Sequence, residues 1–149
     1  QYRVLHRILP VNYYLKKIKI ITNDCCTFCK EEIETIQHVF FSCTNVLPLW
    51  NDLSMSIYRK TTKRVGFNVI NILFGENSLS VDNKPVNFII LYTKQFIYIC
   101  LKQNKIPNYV DLLYYLSFKY KIEKYASVQK FKLRKFEECW SQWEDFFCS

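Results

Sequence analysis

The chain has 149 residues but only two glycines, Gly66 and Gly75, and no two stand close together. A phosphate-cradling loop or a dinucleotide fingerprint needs two or three clustered glycines, so neither chemistry is encoded. Histidine is nearly as rare, with His6 and His38 alone. There is no Gly-x-Ser-x-Gly elbow and no His-Glu-x-x-His helix, which removes the usual serine-hydrolase and zinc-protease signatures. The His-x-Glu and Pro-Cys-x-x-Cys halves of a zinc deaminase are also missing. The longest apolar stretch, Val86 to Leu101, is interrupted by Lys94 and Gln95 and is too short and too polar to span a bilayer. The acidic pairs Glu31–Glu32, Glu137–Glu138 and Glu144–Asp145 are sequence neighbours, and they read as solvated surface rather than as acid/base groups.

What is abundant is apolar and aromatic: half of the residues are hydrophobic and 17% are Phe, Trp or Tyr. A chain of this size and composition buries a real core and is not disordered. It begins with Gln1, as a fragment of a longer polypeptide or a processed product would. The seven cysteines are an odd number, and no signal peptide precedes them. A reducing, intracellular setting, nuclear or cytoplasmic, is therefore expected rather than secretion.

Four of the scarce ligand-bearing residues cluster in DCCTFCKEEIETIQHVFFSC. Cys26 and Cys29 are separated by two residues, His38 follows after eight and Cys43 after four more. A Cys-x2-Cys turn aims two sulfurs at one point, and zinc asks for four such ligands in a tetrahedron. The competing role for cysteine is core filling. That role suits Cys100, Cys139 and Cys148, which lie among apolar and aromatic residues, better than the polar stretch around Asp24, Thr27 and Lys30. Cys25 remains an alternative first ligand, with a three-residue gap to Cys29 in place of two. One structural Zn2+ with four protein ligands leaves no open coordination position, so no catalytic role is expected.

The net charge of +8 is unevenly spread. Residues 1–21 carry Arg3, Arg7, Lys16, Lys17 and Lys19 with no acid. Arg59, Lys60, Lys63 and Arg64 form a second knot, and residues 119–135 hold seven basic side chains against Glu123. Segregated positive clusters are the footprint of a nucleic-acid partner. Lys16, Lys17, Lys19, Arg59, Lys60, Lys63 and Arg64 are the expected phosphate contacts, because they flank the zinc segment in sequence. A solvated basic face in a lysine-rich composition is the plainer alternative. Tyr13 and Phe28 are candidates for stacking on unpaired bases, against the commoner role of packing.

Periodicity predicts a mainly α-helical fold organised around one Cys-Cys-His-Cys knuckle-like site, with a C-terminal helical bundle. Residues 1–60 form the zinc-binding region and residues 61–149 a helical extension packed on it. Pro10 is expected in the first turn of a helix through Val11, Tyr14, Leu15 and Ile18 that ends near Asn23. His38 is expected in a short helix. Asn45 is the expected N-cap of a helix bearing Val46, Leu49, Trp50, Leu53 and Ile57. Residues 68–74 form a short helix closed by Gly75 in a left-handed cap, and residues 76–84 a loop. Residues 85–104 read as a buried helix with Phe88, Tyr92, Phe96 and Ile99 on one side, with a strand pair as the alternative. Asn108 caps a helix carrying Leu112, Leu113, Leu116 and Tyr120. A final helix presents Leu133, Phe136, Trp140, Trp143 and Phe147 as a packing stripe.

Together these residues resemble the zinc-binding segment that follows the polymerase core in reverse transcriptases of LINE-type, non-LTR retrotransposons. RVLHRILPVNYYLKKIKI is similar to the family's lead-in helix. DCCTFCKEEIETIQHVFFSCTNVLPLW carries its Cys-Cys-His-Cys pattern, with Glu34-Thr35 before the histidine and Trp50 after the last cysteine. The INILFG and KQFIYICLKQNKIPN runs and the closing tryptophans are less specific parts of the likeness. The resemblance implies Cys26, Cys29, His38 and Cys43 as zinc ligands; Cys25 is extra relative to the family pattern. It also implies template RNA or target DNA as partner during target-primed reverse transcription, together with the upstream polymerase of the same polypeptide. No membrane or small-molecule substrate is implied. The polymerase's Tyr-x-Asp-Asp motif is absent, since Tyr109-Val110-Asp111-Leu112 lacks the second carboxylate. The Pro-Asp signature of the endonuclease in related elements is absent too. A protein-interaction module packed on the polymerase body is the rival expectation.

Overall fold

The computed structural model describes Val4, residues 8–76 and residues 83–147, and among them the fold is helical, with no strand. The elements are α1 (Asn12–Lys17), a π-helical turn (His38–Ser42), α2 (Leu47–Thr61), α3 (Val69–Phe74), α4 (Asn83–Lys102), α5 (Tyr109–Gln129), α6 (Leu133–Trp140), a 3-10 turn (Ser141–Trp143) and α7 (Glu144–Phe147). The mainly α expectation is met. Among the described residues the only pairing of strand type is an isolated antiparallel bridge between Cys25 and Ile33.

Helix α4 is the axis of the packing. Val86, Ile89, Ile90, Thr93, Phe96, Ile97, Cys100 and Leu101 are all buried along it, so it is covered on more than one side. The expected face is only partly right, because Phe88, Tyr92 and Ile99 are half-buried. A twenty-residue run with core contacts this broad satisfies its backbone internally as a helix, and the strand-pair alternative falls. Beside it lies an aromatic nucleus. Tyr120 stacks on Phe147 at 4.7 Å, Phe88 meets Trp140 edge-on at 4.9 Å, and Phe136 stacks on Trp140 at 5.3 Å. Each such ring removes on the order of 150–250 Å² from water, which is why the C-terminal stripe closes the bundle. That stripe is built in three pieces rather than one straight helix, and the 3-10 turn lets both Trp143 and the Phe146–Phe147 pair reach the interior.

Capping follows local chemistry. The Asn108 side chain accepts from the backbone N–H of Val110 and Asp111, and Asn68 accepts from Asn71. Three expected boundaries move. Helix α1 starts at Asn12 rather than at Pro10 and stops at Lys17, because the following Ile18, Ile20, Ile21 and Thr22 are poor helix formers and Lys19 turns left-handed (φ 59°). Asn45 does not cap α2. Its side chain donates instead to the carbonyl of Phe28, and Val46 holds the cap position. Gly75 does have positive φ (90°), but with ψ 169° it is extended rather than left-handed helical. A Cβ there would come within 2.9 Å of Asn87 Oδ1, so this position needs glycine. Most of the expected 76–84 loop, as well as His6, Arg3, Arg7 and Cys148, lies outside the described residues, and α4 already begins at Asn83.

Candidate metal centre

The site is assembled by a knuckle, a capped turn and a buried carboxylate. In the knuckle the backbone N–H of Lys30 returns to the carbonyl of Cys26 at 2.9 Å, and Lys30 takes a left-handed φ of 64°. The N–H of Phe28 points at Cys26 Sγ, 3.4 Å away. Opposite it, the Thr35 hydroxyl accepts from the N–H of His38 at 3.0 Å and caps the helical turn. That turn is π-type, closed by the N–H of Cys43 bonding the carbonyl of His38 at 2.9 Å. In an α-helix, residues five apart point about 140° apart at 3.6 residues per turn. The wider turn narrows that angle and brings Cys43 round beside His38, which fits the frequent use of π turns at functional sites.

Cys26, Cys29, His38 and Cys43 therefore converge, with one ligand atom from each lying within 4.8 Å of every other. Cys26 Sγ and Cys43 Sγ are 3.9 Å apart, and Cys29 Sγ is 3.4 Å from His38 Nε2. A tetrahedral zinc with its usual bond lengths sets two sulfurs about 3.8 Å apart and a sulfur and a nitrogen about 3.5 Å apart. The donor set fits zinc in chemistry, number and spacing. Cys26 and Cys43 are wholly buried and His38 nearly so. The two sulfurs share one hydrogen bond, which holds one thiol of the pair, Cys26, well below the ordinary thiol range and pushes Cys43 well above it. A divalent cation that replaces this shared proton leaves both as thiolates, so metal affinity should rise with pH.

Cys25 takes no part in the cluster. Its backbone N–H bonds Asn23 Oδ1 and its carbonyl accepts from the Asn12 side chain, so the two-residue gap from Cys26 prevails. On the outer side of His38, Glu32 Oε2 stands 3.1 Å from Nδ1, off the direction of a hydrogen bond.

Sequence reasoning named Glu34 only as part of the Glu34-Thr35 pair in the family likeness and gave it no role, yet this residue holds the site to the rest of the fold. Glu34 is 1% exposed. Its Oε1 accepts from the N–H of Asn12 at 2.8 Å, and its Oε2 from the N–H of Thr27 at 2.6 Å, from the Thr27 hydroxyl and from the Asn12 amide. One carboxylate thus caps α1 and anchors the knuckle. The available signal was an acid preceding Thr35 in a run that is otherwise turning into a helix, but nothing local distinguishes it from its exposed neighbours Glu31 and Glu32. Trp50 ties the other side, donating from Nε1 to the carbonyl of Phe40 at 2.7 Å.

The seven expected phosphate contacts fall in two groups. Lys16, Lys17 and Lys19 are exposed at the end of α1, where Lys16 pairs with Asp24 at 2.9 Å. Arg59, Lys60, Lys63 and Arg64 sit at and beyond the far end of α2; the helix rise puts Arg59 about 18 Å along the axis from Leu47. Lys63 lies over Trp143 and Arg64 over Tyr58. Tyr13 is half exposed, but Phe28 is buried beneath the knuckle and is not available for stacking.

Residues 1–50 match the family described as zinc-binding in reverse transcriptase. The match takes in all four ligands, Glu34 and Trp50, and covers about a third of the 149 residues. No curated protein matches the chain. This similarity and the three-sulfur, one-nitrogen donor set together support one structural Zn2+.

Proposed function

We propose that this chain is a non-catalytic, zinc-stabilised segment of a LINE-type reverse transcriptase that binds template RNA or target DNA during target-primed synthesis. The observation that carries the reading is the closed Cys3His cluster inside the part of the chain similar to the zinc-binding family of reverse transcriptases. With four protein donors the metal has a folding role, worth on the order of 10 kcal/mol in small zinc peptides. It holds α1 and the start of α2 in fixed relation. The cations at the ends of these helices, Lys16, Lys17 and Lys19 on one and Arg59, Lys60, Lys63 and Arg64 on the other, then form two separated contacts for a phosphate backbone. The net charge of +8 favours such a polyanion. The setting is intracellular, in nucleus or cytoplasm, with the polymerase body as the second partner.

A second reading is a protein-interaction module without nucleic-acid contact. It is favoured by the engagement of Lys16 with Asp24 and of Lys63 with the Trp143 ring, which uses part of the positive charge inside the fold. Titration of single-stranded RNA and duplex DNA across a salt series separates the two. Four alanine replacements, at Lys16, Lys17, Arg59 and Lys60, should flatten the salt slope on single strands by about 3 if all four meet phosphates. An unchanged affinity and slope in that variant, with zinc still bound, would refute the nucleic-acid reading in favour of the second.

A further inference from the structure

Helix α5 is apolar on two opposite sides. Leu112, Leu116 and Tyr120 are buried against the bundle. At 100° per residue, Val110, Tyr114, Phe118, Ile122, Tyr125 and Val128 fall on the other side, and all are exposed, Tyr114 at 73%, Tyr125 at 66% and Phe118 at 59%. Just past the helix end, Phe131 is 97% exposed. Its backbone is left-handed (φ 54°) in a paired-bond cap, with Phe131 N–H bonding the Val128 carbonyl and Lys132 N–H the Ser127 carbonyl, a place that favours glycine. Together these seven residues expose roughly 800 Å², comparable to one side of a standard interface.

We infer that this face is the interface of an antiparallel homodimer, in which α5 packs on α5 of a second copy. The stripe is self-complementary. About a centre between Lys119 and Tyr120, Tyr125 stands at the mirror position of Tyr114, while Val128 and Ile122 stand one residue from the mirror positions of Val110 and Phe118. A two-fold axis through that centre sets each side chain against its mirror position, as an isologous interface requires. Small residues meet at the ends and large ones in the middle. Lys121 interrupts the stripe, but its mirror position is Phe118, so its ammonium lies beside the Phe118 ring of the second copy rather than against another lysine. The ends are complementary as well. Asp111, paired with Lys105 at 3.0 Å, stands in the first turn, and Lys130 and Lys132 follow the last turn, so antiparallel pairing brings cations to the acid and opposes the helix dipoles.

The test is sedimentation equilibrium of the zinc-loaded 149-residue chain up to about 100 µM. A dimer of twice 18.1 kDa is expected. Phe118→Glu should return it to the monomer mass with far-UV circular dichroism and zinc content unchanged, since Phe118 touches no core. Geometry is read separately under oxidation: Tyr114→Cys with Tyr125→Cys in one chain should give covalent dimers, while wild type and each single variant should not. A wild-type monomer at the highest concentration overturns the proposal. A dimer that survives Phe118→Glu overturns it also, by placing the interface elsewhere.

Discussion

Replacing Glu34 by alanine removes the acceptor of two backbone N–H groups, a hydroxyl and an amide, all inside the fold. Hydrogen bonds to a charged acceptor contribute about 1.5–3 kcal/mol each, and a buried donor left without a partner costs about 1–3 kcal/mol. These terms overlap because they share one carboxylate. A net loss of about 4 kcal/mol is expected, a large part of the 5–15 kcal/mol typical of a domain. Urea unfolding of the zinc-loaded chain should show it as a midpoint lower by roughly 2 M. Glu34→Gln keeps the shape but turns an N–H2 toward a donor, so an intermediate loss of about 2 kcal/mol is expected. Amide exchange should quicken first at Asn12 and Thr27, the two N–H groups released. If Glu34→Ala unfolds within 1 kcal/mol of wild type, the carboxylate does not hold α1 to the knuckle and the account of the site's assembly is wrong.

Metal content separates the adjacent cysteines. Cys25→Ser should retain one zinc per chain by atomic emission, whereas Cys26→Ser should lose it; the reverse pattern would transfer the ligand to Cys25. Lys94 gives a test by pH. It is 5% exposed, its Nζ reaches the Leu73 carbonyl at 3.3 Å, and burial holds it down to about 8. The folded chain therefore binds fewer protons than the unfolded one between about pH 8 and the ordinary lysine value of 10.5. Stability linked to this group is fully present above 10.5 and is lost as pH falls through 8. Urea midpoints should rise more between pH 7.5 and 9.5 in wild type than in Lys94→Met, and equal slopes in the two would show that Lys94 is not desolvated.

Much of the chemistry was legible because it is local. A Cys-x2-Cys pair, a histidine and a further cysteine at ligand spacing are chemically scarce in a chain with two histidines, and periodicity of large apolar residues marked α2, α5 and the closing aromatic stripe. Boundaries were less legible where another part of the chain competes for a group. Asn45 reads as a cap from its neighbours alone, but the Phe28 carbonyl takes its amide. The start of α1 depends on a carboxylate twenty-two residues away. Phe28 looks exposed beside polar residues, yet the knuckle turns it inward.

By itself, then, the amino-acid sequence determined the ligand types, the helical class and the cap at Asn108, because each rests on residues within a turn or two of one another. The structure bears out Cys26, the ligand expected from the two-residue gap, over Cys25; tertiary structure alone decided that Glu34 is the buried one of three nearby acids and that the second face of α5 stays open. Those outcomes depend on which distant groups meet and which surface the bundle leaves uncovered, and no local pattern encodes them.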